Sequence, residues 1–214
     1  SLLAVPLAAM AALRWLRGRE DGMALRARLG LAPGPAAPRP AIWLHAASNG
    51  ELASAAPVVE ALREARPDLD WLVTANTPSG RDLARGWGVT AELAPLDLRW
   101  AARRILRRRD VRLHLVVESE LWPNRIAACA EAGVPVAVVG ARLSARSARG
   151  WRRVPGLARA VTGRLALVSA QDRQAAARLV ELGLDTARLG PTLALKAFYA
   201  PAPGLTPDPA LARA

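Results

Sequence analysis

The stretch Ile42–Leu52, IWLHAASNGEL, runs from an apolar segment through Ser48, Asn49 and Gly50 to a carboxylate, Glu51. An unbroken apolar run of strand length that stops at turn residues marks a strand buried on both faces. The amphipathic run that follows, from about residue 50 to 65, has helical length, so the stretch opens a βαβ unit. Two readings of the turn stand. In one, Ser48 or Asn49 caps the helix and Glu51 is simply favoured in its first turn by the helix dipole. In the other, Gly50 lets a ligand approach the backbone, the free N–H groups receive it, and Glu51 does acid–base chemistry.

Outward from this unit the same alternation repeats. Apolar strands are expected near 41–46, 70–75, 113–118, 134–139 and 165–169, with helices near 50–65, 79–86, 98–109, 122–132 and 170–182. That pattern predicts an α/β fold, a Rossmann-like parallel sheet with helices on both faces, over residues 41–199. Ahead of it, GLAPGPAAPRP (30–40) reads as a Pro/Gly linker. The segment 1–29 begins with thirteen apolar residues, SLLAVPLAAMAAL, and then RWLRGRED. It is expected to be an apolar N-terminal anchor helix or an interfacial helix with Trp15, Arg14, Arg17 and Arg19 at the headgroups, a core helix being the alternative. The Pro-rich tail 200–214 is expected to start an interdomain linker.

The chain of 214 residues carries a formal charge of +12, almost wholly from arginine. Such an excess favours an anionic partner, whether a phosphorylated ligand or an acidic membrane surface. Nucleic acid is disfavoured, because one Tyr and one Phe cannot supply the interleaved aromatics that stack bases. A single cysteine, Cys129, and two histidines, His45 and His114, argue against an internal disulfide and a Cys- or His-based metal centre. No G-x-G-x-x-G, P-loop or G-x-S-x-G pattern follows a strand.

Two more segments carry chemistry. ESELWPN (118–124) follows an apolar strand, and its two carboxylates, Glu118 and Glu120, sit at i and i+2, which on extended backbone turns both the same way. Such a pair holds a raised pKa and acts as acid or base, or else a carboxylate caps the helix starting near Trp122. After the strand VPVAVV, an arginine set at 142, 146, 149, 152 and 153 suits phosphate or carboxylate, or forms a solvated basic face. RRILRRRD (103–110) reads as an exposed or membrane-facing helix surface.

Taken together, IWLHAASNGE, VTANTPSGRDLA, VVESELWPN and GARLSARSARGWRRVPGL resemble the N-terminal half of the Kdo transferases, which add 3-deoxy-D-manno-octulosonic acid (Kdo) to lipid A precursors. The resemblance runs from about Leu13 to Lys196. It implies a GT-B architecture, whose N-terminal domain takes the lipid acceptor and whose C-terminal domain takes CMP-Kdo, anchored by its N-terminus at the cytoplasmic face of the inner membrane. Glu51 falls on the glutamate regarded as the general base, and Glu120 on a second motif glutamate with Glu118 beside it. Ser48, Asn49, Gly50, Thr74, Thr77, Pro78, Ser79, Gly80 and Glu118 are implied on the acceptor side, with Arg142 and Ser144 at the cleft. Gly140 stands where the family commonly has Asn, and Lys196 in GPTLALK stands near the position of the lysine of the family's G-N-L-K. No cofactor or metal is implied; the donor substrate would bind a C-terminal domain that this stretch lacks, leaving an acceptor-binding half inactive alone. The alternatives are a non-catalytic module for anionic lipids, and a GT-B glycosyltransferase with another acceptor.

Overall fold

The computed structural model describes residues 22–35, 39–118 and 120–198. Six parallel strands form one sheet in the order β3-β2-β1-β4-β5-β6: β1 (Ala41–Ala46), β2 (Asp70–Ala75), β3 (Thr90–Leu93), β4 (Val111–Val117), β5 (Val136–Ala141) and β6 (Leu167–Ala170). Alternating side chains enter two cores. Trp43, Leu72, Val116, Val138 and Val168 meet Ile105, Ile126 and Leu179 on one face; Ile42, Leu44, Val73, Leu115 and Val117 meet Leu52, Ala55, Val59 and Ala84 on the other. The first group of partners lies on α4 (Arg99–Arg108), α5 (Pro123–Glu131) and α8 (Arg173–Glu181), the second on α2 (Asn49–Ala65) and α3 (Pro78–Arg85). The expected sheet with helices on both faces is therefore present.

Three elements escape the sequence pattern. Strand β3 is four residues long and carries a carboxylate, Glu92, in its middle. The charge is tolerated because Arg108 grips Glu92 through both oxygens at 2.9 and 2.8 Å and Arg109 adds a third bond at 2.7 Å. The arginine-rich stretch after β5 forms two short helices, α6 (Ala145–Arg152) and α7 (Pro155–Thr162), the second opened by its proline.

The expected anchor over 1–29 divides: residues 1–21 lie outside the described residues, while α1 (Gly22–Arg28) buries Ala24, Ala27 and Arg28 beside Leu93 of β3. Among the described residues no helix is long and apolar enough to cross a membrane. The described part of 30–40 is tied to the domain rather than free. Gly30, at φ +67°, leaves no room for a Cβ against the Ala101 carbonyl, and Arg108 donates to the Pro33 carbonyl at 2.7 Å. The tail 200–214 lies outside the described residues.

Gly140 interrupts β5. Its φ of +62° is left-handed, the pairing of β5 with β6 shifts across it, and a Cβ there would meet Leu195 at 2.8 Å. Glycine adopts this φ without penalty and leaves the space that Leu195 fills. Gly140→Ala is expected to destabilise the domain by about 2 kcal/mol, from the left-handed penalty plus the Leu195 contact. Chemical denaturation measures it; an unchanged midpoint would show that the bulge relaxes freely.

Candidate functional site

β1 and β4 are neighbours, and the chain leaves β1 toward β2 but leaves β4 toward β5. The order reverses between them, and such a switch point opens a crevice beyond the carboxyl ends of the strands. The loops after β1, β2, β4 and β5 carry the residues singled out in the sequence.

After β1, Ser48 is the N-cap of α2 and accepts from the Glu51 N–H at 3.3 Å. Glu51 reaches back to accept from the Ala47 N–H at 2.6 Å, so serine and glutamate satisfy the helix end reciprocally. Of the two capping choices, the residue is Ser48. Asn49 lies in the first turn and its Oδ1 accepts from Ser79 at 3.3 Å, joining the starts of α2 and α3. Gly50 is exposed, its φ is not left-handed, and a Cβ there would meet nothing within 4 Å. No internal contact of the fold requires a glycine at that position.

Being a capping carboxylate does not make Glu51 ordinary. It is half-buried, and burial pushes its pKa up; the Ala47 N–H opposes this, and the negative charges of Glu118 and Glu120 push it further up. An ionised carboxylate that gains from protonation is a proton acceptor in waiting.

The loop after β4 corrects the expectation for its pair. Glu118 is not extended but left-handed, at φ 58°, a conformation costly for a side chain and concentrated at functional sites. The i, i+2 geometry therefore fails. Glu118 is buried, and its Oε2 accepts from Arg142 at 3.2 Å. Glu120 does not hold a raised pKa. Burial alone would raise it, but the nearby His45 ring and bonds from Trp122 and Asn76 outweigh this and bring it down to about 2. Trp122 Nε1 at 2.7 Å and Asn76 Nδ2 at 3.3 Å both donate to Glu120 Oε2 rather than Oε1, and His45 Nε2 lies 3.5 Å from the same oxygen. Glu120 stays ionised at neutral pH, suited to accept hydrogen bonds or stabilise positive charge. Glu51, by contrast with Glu120, is a carboxylate of raised pKa.

Among the remaining expected residues, Thr77 caps α3, accepting from the Gly80 N–H at 3.1 Å, and Ser79 is exposed beside it. Gly80 is a packing glycine: a Cβ there would lie 2.9 Å from the Ala75 Cβ. Thr74 does not line the crevice; it is fully buried and bonded to Trp43 and His45. Ser144 caps α6 through the Ser147 N–H at 3.1 Å. Arg146 and Arg149 lie exposed along α6 and Arg152 pairs with Glu181, so of this arginine set Arg142 alone bonds a crevice carboxylate. Lys196 is exposed in a 3-10 turn, Leu195–Phe198, that packs against α2. Among the described residues no cluster of three or more His, Cys, Asp or Glu could hold a metal ion.

Sequence reasoning missed the layer beneath. Asp97 caps α5 from outside, accepting from the Asn124 and Arg125 N–H groups at 3.1 and 2.9 Å. Arg125 is buried, with its guanidinium over the rings of Trp43 and Trp122 at 5.3 and 6.0 Å. The alternation along β1 was the available signal, since it places Trp43 and His45 on the same face just ahead of the turn.

A family model described as 3-Deoxy-D-manno-octulosonic-acid transferase (kdotransferase) matches residues 23–198. A 3-deoxy-D-manno-octulosonic acid transferase of Bordetella pertussis is 39% identical over 189 residues, 80% of this chain and 43% of that protein. That of Haemophilus influenzae is 33% identical over 158 residues, 72% of this chain and 37% of that protein. The chain thus spans about two-fifths of the length of these relatives. Among solved structures, a UDP-GlcNAc 2-epimerase from Neisseria meningitidis superposes with a TM-score of 0.55 at 13% identity, covering 73% of this chain and 47% of that one, a likeness of fold alone. With the motif residues gathered at one crevice and the family model matched across it, the chain belongs to the 3-deoxy-D-manno-octulosonic-acid transferase family.

Proposed function

We propose that this chain is the acceptor-binding half of a glycosyltransferase that moves Kdo from CMP-Kdo to a lipid A precursor in lipopolysaccharide synthesis, with Glu51 as general base. The observation that carries the reading is Glu51 itself: a half-buried carboxylate of raised pKa at the switch point, one residue after an exposed glycine that no internal contact requires. The acceptor hydroxyl gives its proton to Glu51 as its oxygen bonds the anomeric carbon of Kdo. The bond from that carbon to CMP breaks, and the phosphate leaves with the electron pair. Glu120, held ionised, accepts a hydrogen bond from a sugar hydroxyl, and Arg142 keeps Glu118 paired at the mouth. CMP-Kdo itself would be bound by a second domain of the GT-B type.

The acceptor is anionic and lies in a membrane, which suits a basic domain at the cytoplasmic face of the inner membrane. The exposed Trp100, with the Arg104 guanidinium 5.2 Å over its ring, supports contact with an anionic lipid surface.

Gly50→Ala tests the reading. Alanine is the better helix residue and meets no neighbour there, so stability should hold or rise by about 0.5 kcal/mol. Binding of a phosphorylated glucosamine-disaccharide lipid, followed by titration calorimetry, should weaken at least about tenfold, the order of 1.4 kcal/mol expected where a methyl obstructs a close approach. Unchanged binding would remove Gly50 from the acceptor site.

A further inference from the structure

We infer that His45 is a positioning residue of this site, holding the Glu120 carboxylate through an Nε2–H fixed by a buried hydrogen-bond chain from Trp43 through Thr74, so that Glu120 presents Oε1 to the substrate. This rests on reading Glu120 as a site residue. His45 is fully buried, and its Nε2 makes no hydrogen bond in this structure but is aimed at the Glu120 carboxylate, with Oε2 3.5 Å away. Its Nδ1 lies 3.1 Å from both the carbonyl oxygen and the hydroxyl oxygen of Thr74. Burial, with Arg125 adding to it, lowers its pKa to about 4, so at neutral pH the ring carries one proton and the two nitrogens compete for it.

Two arrangements are available. With the proton on Nδ1, the ring donates to the Thr74 carbonyl and turns the Nε2 lone pair toward an ionised carboxylate, leaving two acceptors face to face in a dry interior. With the proton on Nε2, the ring donates to Glu120 and Nδ1 accepts from the Thr74 hydroxyl. The Thr74 hydroxyl is free for this, because its oxygen already receives the Trp43 Nε1–H at 2.9 Å and its competing acceptor, the Leu44 carbonyl, is farther, at 3.3 Å. The second arrangement gives every proton of the chain an acceptor and adds a donor to the ionised group, which makes it the stronger. Carried through, the chain runs Trp43 N–H to Thr74 O–H to His45, and His45 N–H to Glu120.

His114 is an internal control. Also fully buried, it stacks on Trp43 at 4.3 Å between ring centroids, and its Nδ1 lies 2.9 Å from the Trp43 carbonyl, an acceptor only. His114 must carry its proton on Nδ1. The two histidines of the chain are therefore expected to be opposite tautomers.

Long-range 1H–15N correlation on the 15N-labelled chain at pH 7 reads both rings, with Thr74→Val assigning them. His45 should show a protonated Nε2 and an unprotonated Nδ1, His114 the reverse. Thr74→Val, which removes the hydroxyl and keeps the carbonyl, should turn His45 to the Nδ1–H form. The proposal is overturned if His45 shows the same pattern as His114, or if both its nitrogens are protonated. In the two-domain enzyme proposed above, His45→Leu should lower turnover roughly tenfold or more, the order of one charge-assisted hydrogen bond, and His45→Gln, which restores a donor at the Nε2 position, should recover most of it. Equal turnover by a folded His45→Leu would also overturn it. Since the tautomers are read without any transfer assay, a negative activity result leaves the two proposals separable.

Discussion

Glu51→Gln in the proposed two-domain transferase should lower turnover by about 10²–10⁴-fold, the usual contribution of a positioned general base, while acceptor affinity changes only a few-fold. The amide keeps an oxygen for the Ala47 N–H, so the start of α2 stays capped and the loss is chemical rather than structural. Glu51→Ala removes both functions and should also lose about 1 kcal/mol of stability with the cap. Steady-state transfer with each variant, beside a thermal melt, separates the two effects. If Glu51→Gln turns over near the parental rate, the base lies elsewhere in the crevice, and Glu118 becomes the next carboxylate to test.

The second large effect is acid lability of the fold. His45 is lowered to about 4 and His114 well below 6.5, both chiefly by burial with Arg125 adding to it. A group whose folded pKa lies below its unfolded one binds its proton more readily in the unfolded chain. Its stabilisation is present above about pH 6.5 and is lost as pH falls toward the folded value. For His45 alone, moving from 6.5 to about 4 corresponds to a loss on the order of 3 kcal/mol, with His114 losing in the same direction. Glu51, whose pKa is raised, contributes with the opposite sign near its own titration and offsets part of this. Glu120, lowered to about 2, adds a further loss only below about pH 4.5. Urea unfolding at pH 7, 6 and 5.5 should therefore show stability already falling across a range where surface carboxylates are still ionised. A flat profile over that range would mean that the two imidazoles are hydrated rather than buried.

The parts of this molecule that could be read from sequence are those set by local pattern. β1 and α2 declare themselves because a doubly buried strand is continuously apolar and its helix starts with Ser48 and Glu51, three apart. β3 is invisible for the opposite reason: its central Glu92 is tolerable only because Arg108 and Arg109 come to it from the far end of α4. The positions of Glu51, Glu118 and Glu120 near one crevice followed from the rule that ligands gather at strand ends. Their separate environments did not. They depend on a left-handed turn at Glu118, and on donors from β1, the loop after β2 and the start of α5 meeting at Glu120. Those contacts link residues 45, 76 and 120, which no spacing rule connects.

In the proposed reaction the proton leaving the acceptor hydroxyl goes to Glu51. The direct measurement is the pH dependence of turnover at saturating acceptor, set beside the titration of the Glu51 carboxyl followed by 13C NMR. Activity should fall on acidification with a midpoint above the ordinary glutamate value of 4.5, the Glu51 carbon should titrate with the same raised direction, and Glu118→Gln should move both downward together. A limb that stays in place while the Glu51 titration moves would contradict that reaction.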